Sequence, residues 1–486
     1  MPVPERQADP DRRRRLMVLA VCCMSLLIVS LDATVLNVAL PSMRKELHTT
    51  VAGMQWTIDA YTLVLASLLI LAGSTADRIG RRKVFTTGLV LFTLGSVLCS
   101  LAPGLGWLVT FRMIQAVGGS MLNPAAMSII TNTFTDPRER ARAIGVWGGV
   151  VGISMAAGPI IGGLLVDSVG WRSIFWINLP VGLAALLLTW HYVPESRAPK
   201  ARRPDPVGQA LVIALLGSVT YAIIEAPGDG PSVAAPLAAV AVLALVGLLL
   251  YEPRREEPLI ELRFFRSVPF AGATVIAVSA FAALSGFLFL NTLYLQDVRG
   301  MSALDAGLHM LPMAALTFVC APLSGRMVGS RGSRLPLVVA GVCMAGCGVL
   351  FAAFEAETST ALLFTGYVLF GVGFGMVNAP ITNTAVSGMP RAQAGVASAV
   401  ASTSRQTGAT LGVAVIGSVL AAGTGAVHTT GFVEASRPAW WIITGCALAV
   451  LAVGLATTGQ WARETARRTA AQLEADDARQ PVDSTS

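Results

Sequence analysis

Long apolar blocks recur along the chain, and they constrain its fold more than any other feature of the sequence. Each block is about 18 to 25 residues long, which is the length that one α-helix needs to cross roughly 30 Å of hydrocarbon. Of the 486 residues, 54% are hydrophobic and only 13% are charged. This composition excludes an ordinary soluble protein and predicts an all-α protein that crosses the membrane many times.

The basic residues predict how the chain is oriented. Arg and Lys concentrate in alternate loops, whereas the intervening loops carry few of them. By the positive-inside rule, both termini are therefore expected in the cytoplasm of a bacterial cell, and the number of crossings is even. The basic loops include Arg12 to Arg15, Arg78 to Lys83, Arg138 to Arg142, Lys200 to Arg203, Arg254 to Arg266, Arg326 to Arg334, Arg391 and Arg463 to Arg468.

We count fourteen membrane-spanning helices. The first begins near Leu16, and we interpret it as an uncleaved helix because no small-residue cleavage site follows it. The helices are predicted at roughly 16–40, 52–73, 84–102, 107–133, 142–167, 172–193, 206–226, 232–251, 268–296, 304–328, 335–354, 360–388, 394–421 and 439–460. Residues 461–486 are polar and are predicted to form a disordered cytoplasmic tail.

The sequence contains an internal repeat. The segment "GSMLNPAAMSIITNTF" (119–134) matches "FGMVNAPITNTAV" (374–386), with Asn123 and Asn378 in register, and Asn37 matches Asn291. The offset stays between 251 and 255 residues, which leaves room for two extra helices between two copies of six. We therefore predict a six-helix bundle over residues 1–195, two inserted helices over 196–264 and a second six-helix bundle over 265–460.

Four short segments of the first half carry a family resemblance: "GSTADRIGRRK" (73–83), "RMIQAVGGSMLNP" (112–124), "GISMAAGPIIGG" (152–163) and "GWRSIFWINLPVG" (170–182). With these segments and two parallel six-helix repeats, the chain resembles the major facilitator superfamily and, within it, the fourteen-helix drug:proton antiporter family. The resemblance implies a substrate site between the two halves and transport by rocking of one half against the other.

The loop at 73–83 resembles the signature loop that latches the cytoplasmic side in this superfamily. The resemblance implies a role as a conformational gate for Gly73, Asp77, Arg78, Gly80 and Arg81. The residue types suit that role, because glycine permits close packing and a tight turn, while Asp and Arg pair with each other or with helix ends. An ordinary basic loop is the alternative.

The segment at 152–163 resembles the antiporter signature of the superfamily, carried by Gly152, Gly158, Pro159 and Gly162. Small residues four apart permit close contact between helices, and proline favours a bend. Close packing alone would explain much of the pattern, whereas the resemblance implies antiport and therefore export.

Three ionisable residues of the first half are predicted to lie at similar depth in the membrane. At 1.5 Å per residue, Asp32 lies about 12 Å, and Asp59 roughly 10 Å, from the outer ends of their helices, and Arg112 enters from the same side. Charges inside a membrane are costly unless paired, so we expect proton coupling or substrate binding here. Asp32 is expected to be the principal site, with Asp59 tuning charge selectivity; purely structural hydrogen bonding is the alternative.

The second half offers Arg405 and Asn378 as further site residues but no comparable interior acid. This difference favours monovalent cationic or neutral lipophilic substrates over divalent cations. The four histidines are scattered singly and there is no nucleotide-binding loop. We therefore expect no metal, no cofactor, no nucleic acid partner and no enzymatic activity.

Together these features predict a monomeric, proton-coupled antiporter in the bacterial cytoplasmic membrane that exports lipophilic or monocationic drugs or antibiotics. A dedicated exporter of one metabolite made by the cell is the first alternative. A lipid flippase or a membrane-embedded enzyme is a more distant one.

Overall fold

The computed structural model describes residues 10–198, 205–255, 257–355, 358–387, 389, 394–423 and 429–479. Lys200, Arg202, Arg203 and Arg391, which the sequence assigns to basic loops, lie outside these ranges. The α-helices are α1 (Pro10–Glu46), α2 (Val51–Ile79), α3 (Arg81–Ser100), α4 (Leu105–Thr133), α5 (Pro137–Ser168), α6 (Ser173–Trp176), α7 (Asn178–Tyr192), α8 (Pro206–Asp229), α9 (Pro231–Tyr251), α10 (Val268–Leu293), α11 (Ala303–His309), α12 (Leu311–Arg331), α13 (Arg334–Ala352), α14 (Thr360–Val386), α15 (Ala394–Gly423), α16 (Thr429–Thr457) and α17 (Gln460–Arg479).

Fourteen helical spans within the described residues are long and apolar enough to cross a membrane, which confirms the predicted number. The short helix α6 and the following α7 together form one span, Ser173–Tyr192, and α10 continues to Val298 through a π-helical turn. Because fourteen is even, the first span begins and the last span ends on one side of the membrane. We call it the basic side, and the other the opposite side.

The spans form two bundles that are built in the same way, one from α1–α7 and one from α10–α16. In the first bundle α3 packs on α4 and α1 on α5, and in the second α13 packs on α14 and α10 on α15. Glycine makes these contacts close: a Cβ on Gly95 would lie 2.7 Å from the Cα of Gln115 on the next helix. Close backbone approach of this kind is what holds helices together where lipid surrounds them.

Polar contacts join the two bundles on the opposite side of the membrane. Arg44 at the end of α1 forms an ion pair of 3.1 Å with Asp297 at the end of α10. The carboxylate of Asp167 on α5 accepts hydrogen bonds from the backbone N–H groups of Ala303 and Leu304, at 3.1 and 2.8 Å. These contacts hold the halves together at the opposite face.

The inserted helices pack along the junction between α2 and α15. Helix α8 contacts both, and α9 packs on α8. Gln209 donates a 2.5 Å hydrogen bond to the carbonyl of Ser67 on α2, and Ser418 on α15 donates one of 2.5 Å to the carbonyl of Ile223. The outer face of α9 exposes large apolar side chains such as Leu243, as expected of a helix that faces lipid.

The predicted disorder of residues 461–486 is wrong for the part that the structure describes. Residues 460–479 form the helix α17, and residues 480–486 lie outside the described ranges. The segment is polar overall, yet Ala462, Ala466 and Leu473 lie on one buried face of it. Amphipathic spacing therefore stabilises a helix that composition alone does not reveal.

Candidate functional site

Asp32 and Arg112 meet in the interior of the first bundle. The Nη1 of Arg112 on α4 lies 2.5 Å from the Oδ2 of Asp32 on α1. The Asp32 residue is 4% exposed and the Arg112 residue 1%. A buried ion pair of this kind is costly to break from one side, because removal of one partner leaves the other charge uncompensated.

Two amides complete the surroundings of the Asp32 carboxylate. Gln115 and Asn178 both donate to its Oδ1, at 2.9 and 3.2 Å. Asn178 also donates to the hydroxyl of Ser96 at 2.9 Å, so α1, α3, α4 and the start of α7 contribute to one network. Both oxygens of the carboxylate therefore accept hydrogen bonds inside the first bundle.

The guanidinium of Arg112 has further partners. It donates to Gln115 Oε1 at 2.7 Å and to the carbonyl of Thr57 on α2 at 3.2 Å. Its central carbon lies 4.2 Å from the ring centroid of Tyr61, a cation–π contact. Gln115 follows Arg112 by three residues and therefore lies on the same face of α4. Asn178, Ser96 and Tyr61 were missed as partners, since only the fold brings their helices together.

Asp59 lies at a different place, on the side of α2 that faces α15 of the second half. Its residue is fully buried, and its Oδ2 has no hydrogen-bond partner within the described part of the chain. The hydroxyl of Thr62 lies 3.5 Å from the Oδ1, and Thr410 on α15 donates to that hydroxyl at 2.9 Å. Asp59 therefore belongs to the junction between the halves rather than to the Asp32–Arg112 network.

Gln55 reinforces the same junction one turn nearer the opposite side. Its side-chain amide donates to two carbonyls of α15, those of Val413 at 3.1 Å and Ala414 at 2.8 Å. Gly417 provides the space, because a Cβ there would overlap the Gln55 side chain. Sequence reasoning missed Gln55, which carries no charge and belongs to none of the recognised segments.

The predicted gate loop binds within its own half in this structure. Asp77 and Arg81 form an ion pair of 2.8 Å, and Arg78 is exposed. Gly80 has a φ of +127°, and a Cβ there would lie 2.6 Å from Oε1 of Glu195, just beyond the end of α7. Gly80 thus allows a turn that few other residues adopt. Gly73, the fifth residue predicted for the gate, is less constrained, because a Cβ there would lie 3.5 Å from the Cβ of Pro124.

The predicted antiporter segment packs α5 against α1 and against the second half. On the α1 side, a Cβ on Gly158 would overlap Thr34, and one on Gly162 would lie 3.0 Å from Val35. On the other side, a Cβ on Gly152 would lie 2.7 Å from the ring of Phe318, and the carbonyl of Pro159 abuts Gly307. Thr34 and Val35 are within three residues of Asp32, so the segment shapes the helix that carries the acid.

Arg405 and Asn378 are linked in the second half through one threonine. Arg405 Nη2 donates to Thr382 Oγ1 at 2.6 Å, and the same hydroxyl donates to the carbonyl of Asn378 at 3.3 Å. The buried Nε of Arg405 has no hydrogen-bond partner within the described residues. The structure thus keeps these two residues apart from Asp32 and Arg112.

The sequence has many relatives of known name. The profile of the Major Facilitator Superfamily matches residues 22–413. The multidrug resistance protein Stp of Mycobacterium tuberculosis is 39% identical over 413 residues, which cover 84% of this chain and 76% of that protein. The tetracenomycin C resistance and export protein of Streptomyces glaucescens is 37% identical, over 90% and 81% of the two chains. The methylenomycin A resistance protein of Streptomyces coelicolor is 34% identical, over 88% and 87%.

Solved structures share the fold. A bacterial homologue of the human lysosomal transporter Spinster, crystallised in an inward-facing and occupied conformation, superposes with a TM-score of 0.66. Its sequence is 18% identical, and the match covers 96% of this chain and 98% of that one. This likeness, together with the fourteen spans, confirms the fold predicted from the sequence.

Proposed function

Because the chain belongs to the major facilitator superfamily, a family of membrane transporters, we propose that it exports lipophilic or monocationic drugs or antibiotics from a bacterial cell in exchange for protons. The names of its relatives support drug export, since they include multidrug and antibiotic resistance proteins. The observation that carries proton coupling is the presence of two buried acids, Asp32 and Asp59, in contrasting surroundings within one half.

We assign the basic side to the cytoplasm, because Arg and Lys accumulate on the cytoplasmic side of membrane proteins. With this orientation, the contacts of Arg44 with Asp297 and of Asp167 with α11 close the outer face. The described conformation is then one that faces inward, and the substrate enters from the cytoplasm or from the inner leaflet.

The two acids act at different steps of the proposed cycle. Among the described residues, one buried oxygen of Asp59 has no hydrogen-bond partner and the carboxylate has no cationic partner. A proton bound to Asp59 therefore removes the cost of burying a negative charge while the outer face is closed. Asp32 instead forms an ion pair with Arg112, which compensates its charge in this conformation. Opening of the α2–α15 junction exposes Asp59 to water, and a proton that reaches Asp32 weakens its bond to Arg112.

Substrate and proton compete for Asp32 in this scheme. A cationic substrate requires the ionised carboxylate, whereas a proton abolishes its charge, so both ligands cannot hold the site together. Neutral substrates are accommodated because the proton still changes the strength of the Asp32–Arg112 bond. Asp59 contributes charge selectivity because it lies on the junction that the substrate must pass.

Efflux of a fluorescent lipophilic cation from cells, with and without a proton uncoupler, tests the proposal. Asp32→Asn should abolish gradient-driven efflux of cationic and neutral dyes alike, whereas Asp59→Asn should weaken mainly the cationic ones. Asp305→Asn, which changes an exposed acid outside the site, is the matched control. Efflux that persists after collapse of the proton gradient, or active pumping by a normally expressed Asp32→Asn protein, would refute proton coupling through Asp32.

A panel of chemically diverse substrates separates multidrug export from the dedicated export of one compound. Transport of several unrelated lipophilic cations by the purified protein in vesicles supports the broader function. Transport confined to one compound would favour the dedicated exporter, with the same coupling chemistry.

A further inference from the structure

Two acidic side chains meet at the ends of the inserted helices on the basic side. Asp205 immediately precedes α8, and Glu252 immediately follows α9. The Asp205 residue is 3% exposed and the Glu252 residue 0%. Neither carboxylate forms an ion pair with Lys, Arg or His in the part of the chain that the structure describes. Such burial of two uncompensated acids requires an explanation.

Each carboxylate has one oxygen that is bound and one that is not. Asp205 Oδ1 accepts hydrogen bonds from Gly208 N at 2.9 Å and from the Tyr251 hydroxyl at 3.2 Å. Glu252 Oε2 accepts one from Ile260 N at 3.4 Å. The remaining oxygens, Asp205 Oδ2 and Glu252 Oε1, are buried and have no hydrogen-bond partner among the residues that the structure describes.

The two unpartnered oxygens face the same small space. A Cβ on Gly208 would lie 2.6 Å from Glu252 Oε1 and 2.7 Å from Asp205 Oδ2, so both oxygens approach the point that a side chain would occupy. Two ionised carboxylates that approach one buried point in this way repel each other. A single hydrogen atom between them would remove the repulsion and satisfy both oxygens.

We propose that Asp205 and Glu252 share one proton and form a protonation site separate from Asp32 and Asp59. The proton comes from water on the basic side and forms an O–H bond on Glu252 Oε1, which donates to Asp205 Oδ2. The negative charge that remains belongs on Asp205, because Asp205 caps α8 and the N-terminus of a helix stabilises an anion. When the proton is lost, it returns to water and leaves two adjacent carboxylates.

Other charged groups surround the pair without neutralising it. The guanidinium of Arg255 lies over the Tyr251 ring at 5.7 Å, and Glu261 is bound to Arg263 at 2.8 Å. Helix α2 meets this region through Ile70 and through the carbonyl of Ser67, which accepts the hydrogen bond from Gln209. Among the described residues, the titratable and charged groups nearby are Tyr251, Arg254, Arg255, Glu261 and Arg263. Deprotonation should therefore separate Asp205 from Glu252 and loosen α8 from α9 on the basic side.

Infrared difference spectroscopy of the purified full-length protein tests the site directly during a pH titration. We expect a carboxylic acid C=O band, separate from any band of a protonated Asp59, that disappears as the pH rises, and we expect Glu252→Gln to remove it. The Gln amide can still donate to Asp205 Oδ2, so this variant preserves the fold. Asp59→Asn is the matched control and should leave the band in place. A wild-type titration without the band, or a band unchanged in Glu252→Gln, would overturn the proposal.

Thermal unfolding gives a second readout that does not depend on transport. The folded protein holds a proton that the unfolded chain releases at neutral pH, so the melting temperature of the wild type should fall as the pH rises. The decline should be shallower in Glu252→Gln and, should that variant fail to fold, in Asp205→Asn. Stabilisation by Na⁺ or Mg²⁺ that both variants abolish, without an acid band, would instead identify a cation site and refute the shared proton.

Discussion

The interiors of the two bundles differ most at positions that the repeat makes equivalent. With the offset of 255 residues that aligns Asn123 with Asn378, Arg112 corresponds to Tyr367. With the offset of 254 that aligns Asn37 with Asn291, Asp32 corresponds to Gly286. One half thus places an ion pair where the other places an aromatic side chain and a glycine.

The second bundle fills this region with stacked rings. Phe287 stacks on Phe370 with ring centroids 4.0 Å apart, and Trp440 meets Phe351 edge-on at 4.8 Å. The hydroxyl of Tyr367 donates to Asn291 Oδ1 at 3.1 Å. Aromatic packing stabilises this part of the second bundle without an ion pair. The comparison teaches that one scaffold supports two kinds of interior, one with an ion pair in the first half and one with stacked aromatic rings in the second.

Removal of the cation in the first interior should have the largest effect. Arg112→Ala leaves Asp32 buried without its partner, which should cost about 3–5 kcal/mol of the free energy of unfolding. The double variant with Asp32→Asn should recover much of that stability but not transport. Thermal unfolding of both purified proteins measures the two stabilities. Equal stabilities of the single and double variants would mean that the unpaired Asp32 does not destabilise the protein.

Introduction of an acid into the second interior should have a smaller effect. Gly286→Asp places a carboxylate at the position equivalent to Asp32 but provides no arginine, at an expected cost of about 2.5–3.5 kcal/mol. The control is Gly286→Ala, because any Cβ there would lie 2.7 Å from Ile416 and causes its own strain. The difference in melting temperature between the two variants isolates the charge. Equal stabilities would show that the second interior tolerates an acid as well as the first.

The smallest effect is expected for the hydroxyl of Tyr367. Tyr367→Phe keeps the ring and removes one hydrogen bond to Asn291, which should cost about 0.5–1.5 kcal/mol. Dye efflux should stay near the wild-type rate, because this bond lies outside the ionisable network. A strong loss of efflux in a stable Tyr367→Phe protein would contradict the expectation that the aromatic interior of the second half takes no part in proton coupling.

Much of the fold could be predicted from the sequence, because the signals are local. Each span is an apolar block of sufficient length, and the repeat follows from matched segments such as those around Asn123 and Asn378. The meeting of Asp32 with Arg112 was predicted in part, because depth along a helix follows from residue count. The residue count does not tell which neighbouring helix each face of a helix contacts, so Asp59 could not be assigned to the α2–α15 junction.

The missed residues are those whose role depends on distant parts of the chain. Gln55 and Asn178 are uncharged, and each acts through a helix far away in the sequence. The helix α17 was missed for another reason, because its mean polarity hides an apolar face that is only one residue wide per turn. Composition describes the average of a segment, whereas packing depends on its periodicity.

The contact between α17 and α10 bears on how the carboxyl end of the chain is handled in the laboratory. The hydroxyl of Thr465 accepts a hydrogen bond of 3.1 Å from the backbone N–H of Val268, at the first residue of α10. Truncation after Gln460 would expose that amide and the apolar surface that Leu473 covers. Fluorescent reporters and purification tags should therefore follow Arg479, since a fusion placed earlier would remove part of α17 and its contacts with α10.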